Sequence, residues 1–272
     1  MRRAKVNPLA WHVMARGSRR LNLFRDDQDR SAFLSILRFS LKASDCVLMA
    51  YALMSNHYHL VVRGEWNQLT VCMRHLNRMY SLYHNEKYGF EGHAFDGPYK
   101  AFPEGTLFML LRAIAYVFLN PVVGGVSDRP EDCQWTGFRS FLGQSGSPLE
   151  VQSNWVLDQV SPDRGSAVHT FLQVLERQKA QKVNMDVTRT RVSIHALQFE
   201  WLLDEARSRA DQFGGEDPVH VALYWGRQIG LATRAMAQVL GVTPIAKLSK
   251  LIYSLVRRIS RNPELQARLE LK

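Results

Sequence analysis

The stretch CVLMAYALMSNHYHLVVR, residues 46–63, carries two strand signals in succession. Residues 46–54 form an apolar run whose length suits a buried strand, whereas residues 57–63 alternate between polar and apolar positions. Ser55 and Asn56 lie between them, so the two runs read as a hairpin. On a strand, alternate side chains share a face. His57 and His59 therefore point one way, and Tyr58, Leu60 and Val62 point the other way into a core.

Working outward, residues 10–16 read as a short strand. Asp26 to Asp29 offer helix-start signals, and Phe33, Ile36, Leu37 and Leu41 then recur at helical spacing. After the hairpin, a helix is expected over about 67–87, with Val71, Leu76, Met79 and Leu82 toward the core, until Gly89, Gly92 and Gly97 break it. Residues 98–102 suit a further strand. Another helix follows over about 104–119, ended by Asn120–Pro121 and two glycines. The order strand, helix, strand, strand, helix, strand is that of a ferredoxin-like antiparallel sheet with helices on one face, and the fold class is α+β.

The 272 residues are 46% hydrophobic, enough for a real core in one large domain or two smaller ones. A net charge of +10 favours polyanionic partners, either nucleic acid or an anionic membrane surface. No run of about 18 apolar residues suggests a membrane span, and the N-terminal stretch lacks the apolar run of a signal peptide. Cys46, Cys72 and Cys133 are scattered, which fits neither a disulfide framework nor a zinc site. The expectation is a basic cytoplasmic, nucleoid-associated protein with no membrane partner.

Two imidazoles side by side on a strand face can chelate one divalent metal. The same pair also reads as ordinary surface histidines. On the helix of residues 104–119, Leu107, Leu110, Leu111, Ile114 and Phe118 make an apolar stripe. Arg112, Tyr116 and Asn120 stack one turn apart near the opposite side. There the tyrosine hydroxyl is available, the amide below it can complete a metal shell, and the arginine above it can hold a phosphate. A solvated helix face with an incidental tyrosine fits the periodicity equally well.

The run LMSNHYHLVV (53–62) resembles the histidine–hydrophobic–histidine strand of HUH single-tyrosine transposases, and LLRAIAYVFLNPVVGGV (110–126) resembles their tyrosine helix. HVMARGSRRLNLFRDD (12–27) and GHAFDGPYKA (92–101) are similar to segments of the REP-associated tyrosine transposase branch. The resemblance spans roughly residues 8–142. Ser55 stands where the family usually has proline, and Tyr58 is a bulky residue to place between the histidines.

The resemblance implies that His57, His59 and Asn120 bind Mg²⁺ or Mn²⁺. It also implies that Tyr116 attacks the scissile phosphate of single-stranded DNA beside a hairpin, including repeated extragenic palindromes, and leaves a 5′-phosphotyrosine. By position, Arg112 and Lys100 are candidates to bind phosphate, and both read equally well as surface cations. The sequence names no general base, and a family of monomers and homodimers leaves the assembly open.

Residues 143–167, rich in Gly, Ser, Pro and Asp, read as a linker or loop between a catalytic domain (1–142) and a helical connector (168–217). Residues 218–272 carry three helix signals, with a glycine stop and Thr243–Pro244 between the second and third. This spacing resembles a helix-turn-helix, and its last helix offers Lys247, Lys250, Arg257 and Arg258 to DNA. From residue 218 onward nine lysines and arginines face two glutamates. A three-helix packing module with a solvated basic face is the plainer account. The rivals to a transposase are a non-catalytic, domesticated DNA-binding regulator and a nuclease that uses water.

Overall fold

The computed structural model describes residues 8–18, 21–186, 194–228, 231 and 233–269. Residues 187–193 of the expected connector, and Arg19 and Arg20 of the quoted N-terminal segment, lie outside these. The chain divides into two compact units, residues 1–187 and 188–272.

The first unit begins with β1 (Ala10–Arg16), α1 (Asp27–Ala43), β2 (Val47–Leu53), β3 (His57–Arg63), α2 (Trp66–Tyr88), β4 (Lys100–Glu104) and α3 (Leu107–Val123). The strands form one antiparallel sheet in the order β2-β3-β1-β4, the ferredoxin-like arrangement. The fourth strand starts two residues later than its aromatic content suggests, because Gly97 and Pro98 hold the preceding segment out of the ladder. As an edge strand it also tolerates Pro103, which has no N–H to donate.

α1 starts at a capping box in which the side chains of Asp26 and Asp29 each accept the other's backbone N–H. α1 and α2 pack together over one face of the sheet, where the ring of Phe33 lies 4.9 Å from that of Tyr58. The buried row of α2 is Leu69, Cys72, Met73, Leu76 and Tyr80, at helical spacing. Of the four core positions expected there only Leu76 is buried; Val71, Met79 and Leu82 are exposed. The helix carries apolar residues on two sides, and the inner side is the one holding Cys72 and Tyr80.

Helices do not lie on one face alone. α3 covers the opposite face, because its residues 109–121 are buried all round except for Arg112, Tyr116 and Asn120. A helix apolar on nearly every side has to be enclosed. The second layer over it comes from α4 (Phe138–Phe141), α5 (Asn154–Val160) and α6 (Arg164–Asp186). Phe118 lies edge-on to Phe138, Phe141 and Phe171. The segment expected as a linker thus contains α5 and the start of α6, and Phe171 and Leu175 of the expected connector belong to this first core. α3 also runs through Pro121, past its expected end at residue 119. Pro121 removes only one late hydrogen bond, and Gly124 N–H still reaches the Asn120 carbonyl at 2.8 Å.

The second unit is all-helical, with α7 (Ile194–Ser208), α8 (Pro218–Gln228), α9 (Thr233–Leu240), α10 (Ile245–Ile259) and α11 (Pro263–Arg268). Its core gathers Phe199, Leu202, Phe213, Trp225, Met236 and Ile252. Gly226 admits the close approach of α9, since a Cβ there would meet Met236 Sδ at 2.8 Å. Gly241, at φ +63°, ends α9, and the chain bends by 109° into α10. Leu248, Ile252, Leu255 and Ile259 turn inward, leaving Lys247, Lys250, Arg257 and Arg258 on the exposed side. Among the described residues no single helix is long and apolar enough to cross a membrane.

Candidate active site

The face of the sheet beneath α3 is defined by register. Rows of directly opposed residues run His57–Arg16, His59–Met14–Lys100, Val61–His12–Phe102 and, at the far end, Ala10–Glu104. His57 and His59 thus share a face with His12, Lys100 and Glu104, while Tyr58 faces α1 and α2. The face is not open to solvent as the alternation suggested. His59 is 2% exposed and His12 1%, because α3 lies over them.

Tyr116 packs over both. Its ring centroid lies 5.4 Å from that of His12 and 5.5 Å from that of His59, each approached edge-on. Burial raises its phenol pKa, and a hydrogen bond from Asn120 offsets part of that rise. Asn120 also donates from Nδ2 to the Tyr116 carbonyl at 2.8 Å, which ties the amide one turn below the phenol. Arg112 sits one turn above and is half-buried.

The two strand histidines are held by their neighbours. His57 Nδ1 lies 2.7 Å from Asn56 Oδ1 and donates to it, which leaves Nε2 as the ring's acceptor nitrogen. His59 Nδ1 lies 3.0 Å from His12 Nε2, so one ring donates to the other. The rings of His57 and His59 are 5.1 Å apart. Burial, together with the nearby Arg16 charge, pushes His57 down to about 4, so it is neutral at neutral pH, as a metal ligand must be.

This donor set fits a divalent cation with mixed nitrogen and oxygen preference, Mn²⁺ better than Mg²⁺. Among the described residues no group of three or more His, Cys, Asp or Glu side chains is arranged to hold a metal.

Glu104 ends β4 beneath α3. It is 1% exposed, and neither carboxylate oxygen has a hydrogen-bond partner among the described residues. Burial pushes its carboxyl up to about 8, against a smaller opposing pull from Arg112.

A family model described as "Transposase IS200 like" matches residues 5–117, a span that contains both histidines, β4 and Tyr116. The matched span lies inside the first unit, which is thereby similar to IS200-like transposases. The enzyme is a single-tyrosine transposase.

Among solved structures, the transposase is similar to a REP-associated tyrosine transposase bound to a REP hairpin. The identity is 12% over 57% of this chain and 92% of that one, with a TM-score of 0.44. It is also similar to a candidate transposase from Deinococcus radiodurans R1, with 16% identity over 38% of this chain and 83% of that one and a TM-score of 0.30. No curated protein matches the chain.

Within the transposase unit, His57, His59 and Tyr116 come together as the sequence suggested, and Arg112 and Asn120 flank the tyrosine. Lys100 begins the edge strand on the same face and is exposed. Sequence reasoning missed His12, Arg16 and Glu104. The signal for the first two was available, since in HVMAR the residues 12 and 16 share a strand face. The signal for Glu104 was not, because the expected strand stops at residue 102 and the expected helix takes residue 104 as its start. In the second unit Lys247, Lys250 and Arg257 are exposed, whereas Arg258 is paired with Glu216 at 2.5 Å.

Proposed function

We propose that the protein nicks and rejoins single-stranded DNA beside hairpins through a covalent bond to Tyr116. The observation that carries this reading is the packing of the Tyr116 ring over His12 and His59 in one enclosed layer. His57, His59 and Asn120 would hold Mg²⁺ or Mn²⁺, which when bound supplies Lewis-acid polarisation of a non-bridging phosphate oxygen. Tyr116 Oη attacks phosphorus, the bond to the 3′ oxygen breaks, and a 5′-phosphotyrosine and a free 3′-hydroxyl result. Attack by a later 3′-hydroxyl on that linkage restores the phosphodiester and frees the phenol. Arg112, one turn from the phenol, and Lys100, on the same sheet face, bind phosphate oxygens.

The raised phenol pKa makes proton removal part of the barrier, so the phenolate needs a proton acceptor and the positive field of Arg112, Lys100 and the bound cation. The segments 12–27 and 92–101 support the REP-associated branch, and with it hairpins of repeated extragenic palindromes as targets.

The second unit binds the paired stem. The 109° bend between α9 and α10 suits a helix-turn-helix, and Lys247, Lys250 and Arg257 line the exposed side of the second helix. Arg258 contributes there only by exchanging Glu216 for phosphate.

The test is a covalent-adduct assay with labelled single-stranded hairpin oligonucleotides and Mn²⁺, resolved on a denaturing gel. The expected result is a metal-dependent shifted band that Tyr116→Phe abolishes. Cleavage without an adduct would assign the nucleophile to water, and binding without cleavage across a broad hairpin library would make the protein a regulator.

A further inference from the structure

A groove of about 740 Å³ runs between α2 and residues 92–99, on the side of the sheet away from Tyr116. It falls in the size range of sites that enclose small ligands, roughly 300–1,000 Å³. Its floor is mainly apolar and includes Phe95 and Tyr99. Along its α2 wall stand Arg74, Asn77, Arg78 and Asn85, at the spacing of one helix face. None of the lining residues is acidic. Arg74 and Arg78 are exposed, and neither forms an ion pair among the described residues.

The two amides are already oriented. Asn77 Oδ1 accepts from the Tyr58 hydroxyl at 2.7 Å, so its NH₂ group is the part left to meet a ligand. Asn85 Nδ2 donates to the Gly92 carbonyl at 2.7 Å, which leaves its oxygen as an acceptor. Two guanidinium groups, an amide donor, an amide acceptor and an aromatic floor match one ligand chemistry: anionic phosphates joined to flat rings whose edges carry donors and acceptors.

We propose that this groove binds an unpaired stretch of nucleic-acid strand, with phosphates on Arg74 and Arg78 and a base against Tyr99. The assignment extends the proposed function, since it rests on unpaired DNA being the substrate class and adds a second place for it. The route between the two places is short. Tyr99 lines the groove and the next residue, Lys100, opens the edge strand on the catalytic face. A strand that leaves Tyr116 past Lys100 therefore turns the β4 edge into the groove.

The experiment is equilibrium binding of a short fluorescent single-stranded oligonucleotide to the full chain, titrated against salt, beside a fully paired duplex. Arg74→Ala with Arg78→Ala should flatten the log–log salt slope for the single strand by about 1.4, at about 0.7 per phosphate contact. Tyr99→Leu, which keeps an apolar side chain and removes the ring, should weaken it about fivefold or more. Duplex affinity should stay within twofold. Circular dichroism and the adduct assay on each variant establish that the fold and chemistry are intact.

An unchanged single-strand slope in a folded, adduct-forming arginine variant overturns the groove and leaves the proposed chemistry standing. Equal loss of duplex and single-strand binding overturns it too, as does a wild-type chain that fails to bind the single strand. Selective loss in a chain that forms no adduct supports the groove and removes the covalent mechanism instead.

Discussion

Glu104 offers the sharpest physical test of the catalytic layer, through Glu104→Gln. The folded carboxyl titrates at about 8, against 4.5 for the ordinary group, because burial leaves both oxygens without partners. A carboxyl whose folded pKa is raised favours folding below its unfolded pKa. That advantage is lost as pH rises from about 4.5 to about 8, where the unfolded chain has released the proton and the folded chain has not. The slope approaches about 1.4 kcal/mol per pH unit, and integration from pH 5 to pH 8 gives a loss of about 3.5 kcal/mol.

Glutamine has the same shape and no charge to desolvate, so the variant should escape this loss. At a urea m-value of about 2 kcal/mol/M the variant's midpoint should gain between roughly 1 and 2 M on wild type between pH 5 and pH 8. The assay is hydrogen–deuterium exchange in urea with EDTA, read on β1 and β4 peptides so that only the first unit reports. Parallel pH profiles, or a variant weaker at both pH values, would refute the reasoning, since Glu104 would then be ionised and paired with Arg112. The distinction bears on function. A neutral Glu104 leaves the Arg112 charge for phosphate, whereas an ionised one cancels it.

His12→Phe should weaken Mn²⁺ binding, measured by calorimetry, by roughly 10- to 100-fold, because it removes the partner that fixes His59. His12→Gln keeps a polar partner and should recover most of the affinity; equal affinity in wild type and His12→Phe would exclude the role. Asp29→Ala should cost the first unit about 3 kcal/mol in urea, since it takes the buried carboxylate from two tyrosine hydroxyls and leaves Lys87 with Asp26 alone. Burial alone would raise the Asp29 pKa, but hydrogen bonds from Lys87 and Tyr88 hold it below the ordinary value. Its contribution is thus present near neutrality and lost as pH falls through the folded pKa; a wild-type midpoint insensitive to acid would count against it. Lys247→Ala with Lys250→Ala should lower the duplex salt slope by about 2, at about 0.9 per phosphate, and an unchanged slope would assign duplex binding elsewhere.

The sheet was legible because its signals are local. The apolar run of β2, the alternation of β3 and the Asp26 cap each depend on neighbours within a few residues, and the helical period placed Arg112, Tyr116 and Asn120 in one row. The missed features depend on contacts distant in sequence. His12 matters because β1 pairs with β3 and sets it against His59, 47 residues away. Glu104 matters because the edge strand runs two residues past its expected end and α3 closes over it. α5 and the first turn of α6 went unseen in a segment whose Gly, Ser and Pro content signals turns, since their order comes from packing against α3. α2 misled for the opposite reason: its two apolar sides are equally visible in the sequence, and only the tertiary fold selects one.

Tyr58 joins the two halves of the site. Placed between the histidines, it looks too large and too polar for a strand core, yet it is fully buried. Its ring packs on Phe33, and its hydroxyl spans the layer to Asn77 on α2, so its polar tip has the partner that burial demands. A smaller aliphatic residue would leave a void under Phe33 and take away the hydroxyl that the Asn77 oxygen accepts from. Because β3 alternates, the residue that fixes Asn77 on one face is covalently flanked by the two imidazoles on the other. Any shift in the register of β3 would displace both histidines and the amide together, which gives a physical reason for the bulky residue at this position.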